Sequence, residues 1–226
     1  GVDLLKYDYC GAPASRDTAI VRYRKMGEAL RATDRSIIYN ICEWGRRKPW
    51  EWAKEVGGHY WRTTEDIRDA WDLRESGTGL YGIMDIIDVN GELADYAAPK
   101  GVKIALETVT IMQTNFINTC AEGADMVDRV NRPNFRLMLD VFHLNLEEKD
   151  LFEAIRRYNS YNIHVHLADN NRRYPGQCGL DFEKIISTFR ECGYDGAFTT
   201  EIFQLPSMEG AAKGAAEYLI PIMKKV

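Results

Sequence analysis

Apolar residues in this chain follow two alternating rhythms. Seven short, nearly continuous apolar runs read as strands rich in Ile, Val, Leu, Phe and Tyr: DLLKYD (3–8), SIIYNICEW (36–44), HYWRTT (59–64), VKIALETV (102–109), FRLMLDVF (135–142), NIHVHLAD (162–169) and GAFTTEIF (196–203). Between and after them, at 17–32, 49–57, 80–98, 117–131, 150–159, 181–193 and 209–226, apolar residues recur three to four apart. That spacing predicts amphipathic helices. Seven strand-helix units with strands apolar on both faces predict an α/β fold, a parallel sheet covered by helices. Repetition without a Gly-rich phosphate turn favours a TIM-type barrel over an open doubly wound sheet. Eight units make the usual barrel and seven are readable here. The first and last strands must then meet directly, or leave sheet edges that a second copy covers as a homodimer.

Composition narrows the picture. With 226 residues and 45% hydrophobic content, one large core suffices, so a single barrel domain over 1–226 is expected. The net charge of -5, with Lys and Arg scattered, gives no footprint for nucleic acid or for an anionic membrane. There is no apolar run of 18 residues and no signal-peptide pattern. Five cysteines, an odd number without a Cys-x-x-Cys pair, predict reduced thiols rather than a disulfide framework or thiolate zinc, as in a cytoplasmic setting. The chain opens on Gly rather than Met, which fits a trimmed or engineered start and recombinant expression.

Chemistry in such a barrel gathers at the carboxyl ends of the strands. In the second half those ends carry Glu107, Asp140, His166 and Glu201, spaced 33, 26 and 35 residues apart, one strand-helix unit each. Any one of them alone reads better as a helix cap or a satisfied core histidine, and the four together reverse that reading. Four at one level repel one another unless a cation neutralises them. Oxygen-rich ligation with one imidazole and no thiolate suits Mn²⁺, Co²⁺ or Mg²⁺. His143 lies three residues after Asp140, and NNRRYPG brings Arg172 as a guanidinium for a substrate oxygen.

From about Ala94 to Val226, the stretches GVKIALE, TNFINT, LMLDVFHLNLEEKD, HVHLADNNRRYPGQ, LDF and GYDGAFTTEIF resemble the carboxyl-terminal half of the xylose-isomerase-like sugar epimerases, the ketose 3-epimerase group. The resemblance implies Glu107, Asp140, His166 and Glu201 as metal ligands. It also implies Glu107 and Glu201 as the proton-transfer carboxylates on opposite faces of a cis-enediolate, with His143 and Arg172 on the sugar. Where that group carries a polar Asn-Arg pair and a Glu after the first ligand, this chain reads TVTIMQT, with Thr110, Ile111 and Gln113.

Residues 1 to about 98 resemble something else. LLKYDYCGAP, RYRKMGEAL, CEWGRRKPWEWAKEVGGHYWRTTEDIRDAW and YGIMDIIDVN are similar to the middle of the retaining α-galactosidases, from that family's fourth barrel strand onward. The resemblance implies Asp8 as nucleophile, Asp66 as general acid/base, and Lys6, Glu43 and Arg62 on galactose hydroxyls. Lys6 and Asp8, two apart on a strand, face the same way, and Asp66 in TTEDIRD also reads as a helix-start acid. The family's earlier strands and a later Asp-Pro-Asp strand are absent, and Cys10 has lost its expected partner, so it reads as a free thiol. The two resemblances meet at ADYAAPKG, as in a designed or recombined chimera of two barrel fragments. Three readings follow: a chimeric scaffold that keeps a divalent-metal site with catalysis lost, an active metal-dependent ketose epimerase or isomerase, and a retaining α-galactosidase. A small sugar is the substrate in either active case.

Overall fold

A computed structural model describes residues 4–66, 70, 73 and 82–226. Their elements run β1 (Leu4–Asp8), α1 (Arg16–Arg31), β2 (Ile38–Cys42), β3 (Tyr60–Trp61), α2 (Ile83–Ala97), β4 (Ile104–Glu107), α3 (Cys120–Val130), β5 (Phe135–Asp140), α4 (Val141–Glu147), α5 (Leu151–Tyr158), β6 (Asn162–Leu167), α6 (Phe182–Glu191), β7 (Phe198–Thr200) and α7 (Met208–Lys225). Each expected strand is present. All pairings are parallel, in two sheets ordered β1-β2-β3 and β4-β5-β6-β7. The chain divides into two compact units, 2–90 and 91–226. The expected helix at 49–57 is only a 3-10 turn, Pro49–Glu51, because Trp52, at φ -138° and ψ -18°, leaves helical geometry after one turn. The expected strand FRLMLDVF stops at Asp140, which accepts a hydrogen bond from Phe142 N and so starts α4. Residues 67–69 and 71–72 of the α-galactosidase-like stretch, and Leu80 and Tyr81 of the next helical pattern, lie outside the described residues.

The 2–90 unit is held by aromatic packing. Tyr23, fully buried on α1, stacks on Tyr9, meets Tyr7 edge-on at 5.6 Å and packs against Tyr39 and Trp52. Its hydroxyl donates to Tyr7 O, and the Tyr39 hydroxyl donates to Tyr23 O, each at 3.1 Å. Burial raises both phenol pKa values, so these groups stay neutral donors.

The 91–226 unit has an aliphatic core. Leu137, Leu139, Val165 and Leu167 on β5 and β6 are fully buried, as are Ile155, Ile185, Ile186 and Phe189 on α5 and α6. Each such side chain contributes about 1.5–3 kcal/mol of burial. Helix starts are well specified: Thr119 and Glu122 form a reciprocal capping box on α3, and Asp150, Asp181 and Ser207 cap α5, α6 and α7. At Gly123 a Cβ would come within 2.7 Å of Thr108 and 2.9 Å of Leu137, so only glycine lets α3 sit this close to β4 and β5.

Candidate metal centre

Pairing register decides which strand residues share a face. Asp140 on β5 lies directly opposite His166 on β6, and His166 lies opposite Thr199 on β7. Glu201, two residues past Thr199, keeps that face; Glu107 on β4 is opposite Met138, two before Asp140, and keeps it as well. This parity depends on an irregularity. Leu137 pairs with Asn162 but Met138 pairs with His164, so β6 carries one extra residue between the two pairs. Without that bulge Val165 would oppose Asp140 and both strand histidines would turn to the other face. Asn162 holds the bulge: its Oδ1 accepts from Leu139 N at 3.3 Å and from His164 N at 3.2 Å. Spacing along the chain does not reveal Asn162, because only the paired strand shows the slip.

One ligand atom from each of Glu107, Asp140, His166 and Glu201 can be chosen so that all lie within 4.8 Å of one another. His166 Nδ1 stands 2.7 Å from Glu201, 3.5 Å from Asp140 and 3.7 Å from Glu107. Glu107 Oε1 and His166 Nδ1 are buried without a hydrogen-bond partner. Two orphaned donor atoms facing one spot suit a shared cation. Charge agrees. With a neutral imidazole, three carboxylates and the Arg172 guanidinium leave two negative charges, the complement of one divalent ion. The donor set therefore fits the metal expected from sequence. Burial opposes charge on His166, but the carboxylates of Asp140, Glu107 and Glu201 around its Nδ1 outweigh it and hold its pKa well above the ordinary value. Burial likewise opposes ionised Asp140, and His166 and Arg172 reverse this, leaving its pKa lowered.

Arg172 stands on the ligands themselves. Its Nη1 donates to both Asp140 oxygens at 2.9 Å, its Nη2 is 3.3 Å from Glu201, and its guanidinium lies over the Phe142 ring at 4.8 Å. His143 is buried on α4; its Nδ1 accepts from Thr110 N at 3.3 Å, and its Nε2 is 3.9 Å from Glu107. That bond assigns the ring proton to Nε2, the nitrogen facing the carboxylate. Deeper on β6, His164 meets Thr199 at 3.0 Å, and burial followed by His166 depresses its pKa to about 4. The loop after β4 presents Ile111 and Met112, 66% and 74% exposed.

The sequence signature of the xylose isomerase-like TIM barrels matches residues 16–222. This chain belongs to that family. It is 39% identical over 111 residues to the L-ribulose 3-epimerase of Methylomonas sp. (strain DH-1), covering 49% of this chain and 39% of that enzyme. It is also 55% identical over 71 residues to Alpha-galactosidase 3 of Arabidopsis thaliana, 31% of this chain and 16% of that protein. The apo structure of 3-keto-D-glucoside 4-epimerase YcjR from E. coli shares the fold with a TM-score of 0.71, at 21% identity over 99% of this chain and 90% of that one. The chain thus spans about two fifths of the epimerase it matches in sequence.

Within this xylose isomerase-like chain, the remaining candidates belong to the 2–90 unit. Lys6 and Asp8 lie on β1 opposite Asn40 and Cys42 of β2. Burial, then a hydrogen bond with Asp8, pushes the Cys42 thiol up to about 12, so it stays protonated. Glu43, fully buried just after β2, turns to Arg47, whose backbone N and Nη1 donate to its Oε2 at 2.9 and 3.1 Å. Its other oxygen is without a partner, and burial raises its pKa despite Arg47. Arg62 donates to Asp66 at 2.7 Å and to Thr64 O at 3.2 Å, with the Asp66 side chain 68% exposed. All five thiols are free, Cys10 among them. No helix among the described residues is long and apolar enough to cross a membrane.

Proposed function

We propose that this chain is a recombined barrel scaffold, α-galactosidase-like before about residue 98 and sugar-epimerase-like after it, that binds one Mn²⁺, Co²⁺ or Mg²⁺ through Glu107, Asp140, His166 and Glu201. The observation that carries the reading is the convergence of these four side chains within 4.8 Å. When bound, the ion supplies charge stabilisation for a sugar oxygen. Glu107 and Glu201, each about a quarter exposed while Asp140 is fully buried, are the ligands open to a ketose. They are accordingly the carboxylates that take a proton from carbon and return one. The His143 Nε2 proton and the outer edge of Arg172 hold sugar oxygens. Ile111 and Met112, exposed in the loop after β4, replace polar substrate contacts, so ion binding outlasts turnover.

Dialysis against chelator followed by Co²⁺ titration tests the reading: one ion per chain is expected, with Glu201→Gln weakening it at least about tenfold. Saturating the site at about 100 times Kd adds about 2.7 kcal/mol to stability. A chain that takes no ion, or a variant that binds unchanged, ends it, and epimerisation of a ketose above background restores the active reading.

The 55% identity to an α-galactosidase favours a second reading for the other unit, with Asp8 as nucleophile and Asp66 as acid/base. A mechanism-based galactoside inhibitor is then expected to add its mass to Asp8, and an unlabelled Asp8 excludes it. Pairing of β1 or β7 with a second copy belongs to the same proposal, and sedimentation at increasing concentration measures it.

A further inference from the structure

We propose that Asp169 is a positioning residue that sets the Arg172 guanidinium over Asp140 and Glu201; the inference deepens the metal-site reading above. Asp169 is fully buried three residues past His166. Its carboxylate gathers four backbone N–H groups from across eleven residues: Asn170 and Leu180 donate to Oδ1 at 2.9 and 3.3 Å, Gly176 and Cys178 to Oδ2 at 3.0 and 2.8 Å. Its backbone closes the turn from both sides. Arg172 N donates to Asp169 O at 2.8 Å, and Asp169 N donates to Arg173 O at 2.9 Å.

Arg172 itself has φ +59°, the left-handed region that a side chain with a Cβ occupies only when its surroundings hold it there. Asp169 holds it from one side, and Phe203 N, donating to Arg172 O at 2.7 Å, ties the turn to the segment just after Glu201. A guanidinium on a long free stem would lose much rotamer freedom on docking. A stem rooted in this fixed turn, with its head over the Phe142 ring, reaches both oxygens of Asp140 with little further choice. Asp169 thereby acts on the ligand carboxylates through Arg172.

The test uses the whole chain without metal. An ¹⁵N spectrum of the arginine Nε–H groups should show a slowly exchanging Arg172 signal, assigned by its loss in Arg172→Lys. In Asp169→Asn that signal is expected to average out, and Co²⁺ affinity to fall about tenfold. Adding Asp169→Asn to Arg172→Ala should cost no further affinity. A persistent Arg172 signal in Asp169→Asn, or losses that add in full, overturns the inference. Arg172→Lys should leave the Gly176 and Cys178 amides protected from exchange; their exposure would reverse cause and effect and overturn it too. Should Asp169→Asn fail to fold, this last arm decides alone. If the unaltered chain takes no Co²⁺, the metal reading falls and the arginine signal still decides the positioning.

Discussion

The two units use the same parallel strand-helix grammar and treat their polar strand ends in opposite ways. In 91–226, four ends point at one spot and leave donor atoms of Glu107 and His166 unfilled. In 2–90, Glu43 turns to Arg47 and Arg62 to Asp66. In 91–226 the shared face is set by strand pairing. β4, β5 and β6 pair over four consecutive register positions on each side of β5, with the Asn162 bulge setting parity. β3 has two residues, with Asn40 opposite Tyr60 and Ile41 opposite Trp61; just past it Arg62 N still donates to Ile41 O, while the Arg62 side chain turns to Asp66.

Asp140→Ala should separate the units most sharply. It leaves Arg172 without its buried partner, costing about 3–5 kcal/mol, and abolishes Co²⁺ binding. Amide exchange at Leu139 and Val165 is expected to accelerate while Tyr39 and Ile41 hold; parallel acceleration at all four would break the comparison. Asn162→Ala removes the acceptor shared by Leu139 N and His164 N and should cost about 2 kcal/mol, with Co²⁺ affinity falling more than the cavity alone explains. Unchanged affinity would show that the bulge holds without its clamp.

All five tryptophans, Trp44, Trp50, Trp52, Trp61 and Trp71, precede residue 72, so their fluorescence reports on the 2–90 unit. Burial raises the Glu43 pKa above its usual 4.5, and the folded state therefore holds this proton more tightly than the unfolded chain. Stability from Glu43 is complete below the unfolded value and is lost as pH rises through the folded one. Urea midpoints by fluorescence should fall as pH rises above the usual carboxylate range, and Glu43→Gln should flatten that slope; an unaltered slope removes Glu43 as its source. The smallest effect belongs to Asp66→Asn. An exposed pair with Arg62 contributes under about 1 kcal/mol, and a larger loss of urea stability would give Asp66 a structural role.

The strands and most helices were legible because apolar runs and three-to-four spacing are local properties. Asp140 was legible as a candidate ligand and, taken alone, as a helix cap, but the point where strand gives way to α4 was not, since LMLDVF stays apolar through the change. The helix expected at 49–57 failed for a backbone reason, the departure of Trp52 from helical φ after one turn. Arg172 was legible as a nearby cation. Its bidentate hold on Asp140, the Asn162 clamp and the Asp169 hub were not, because each depends on register or on a turn closed between residues distant along the chain.

The border between the units falls at Asn90 and Gly91, inside the continuous helix α2, with Ile83 and Ala97 at its ends. Nothing lies within 4 Å of where a Gly91 Cβ would be, so Gly91→Ala would add roughly 1 kcal/mol of helix propensity without a clash. A border between units that falls within a helical turn gives a protease no extended stretch to cut. Units that share a helix would resist being cleaved apart at their border, and a single alanine there would make that helix firmer still.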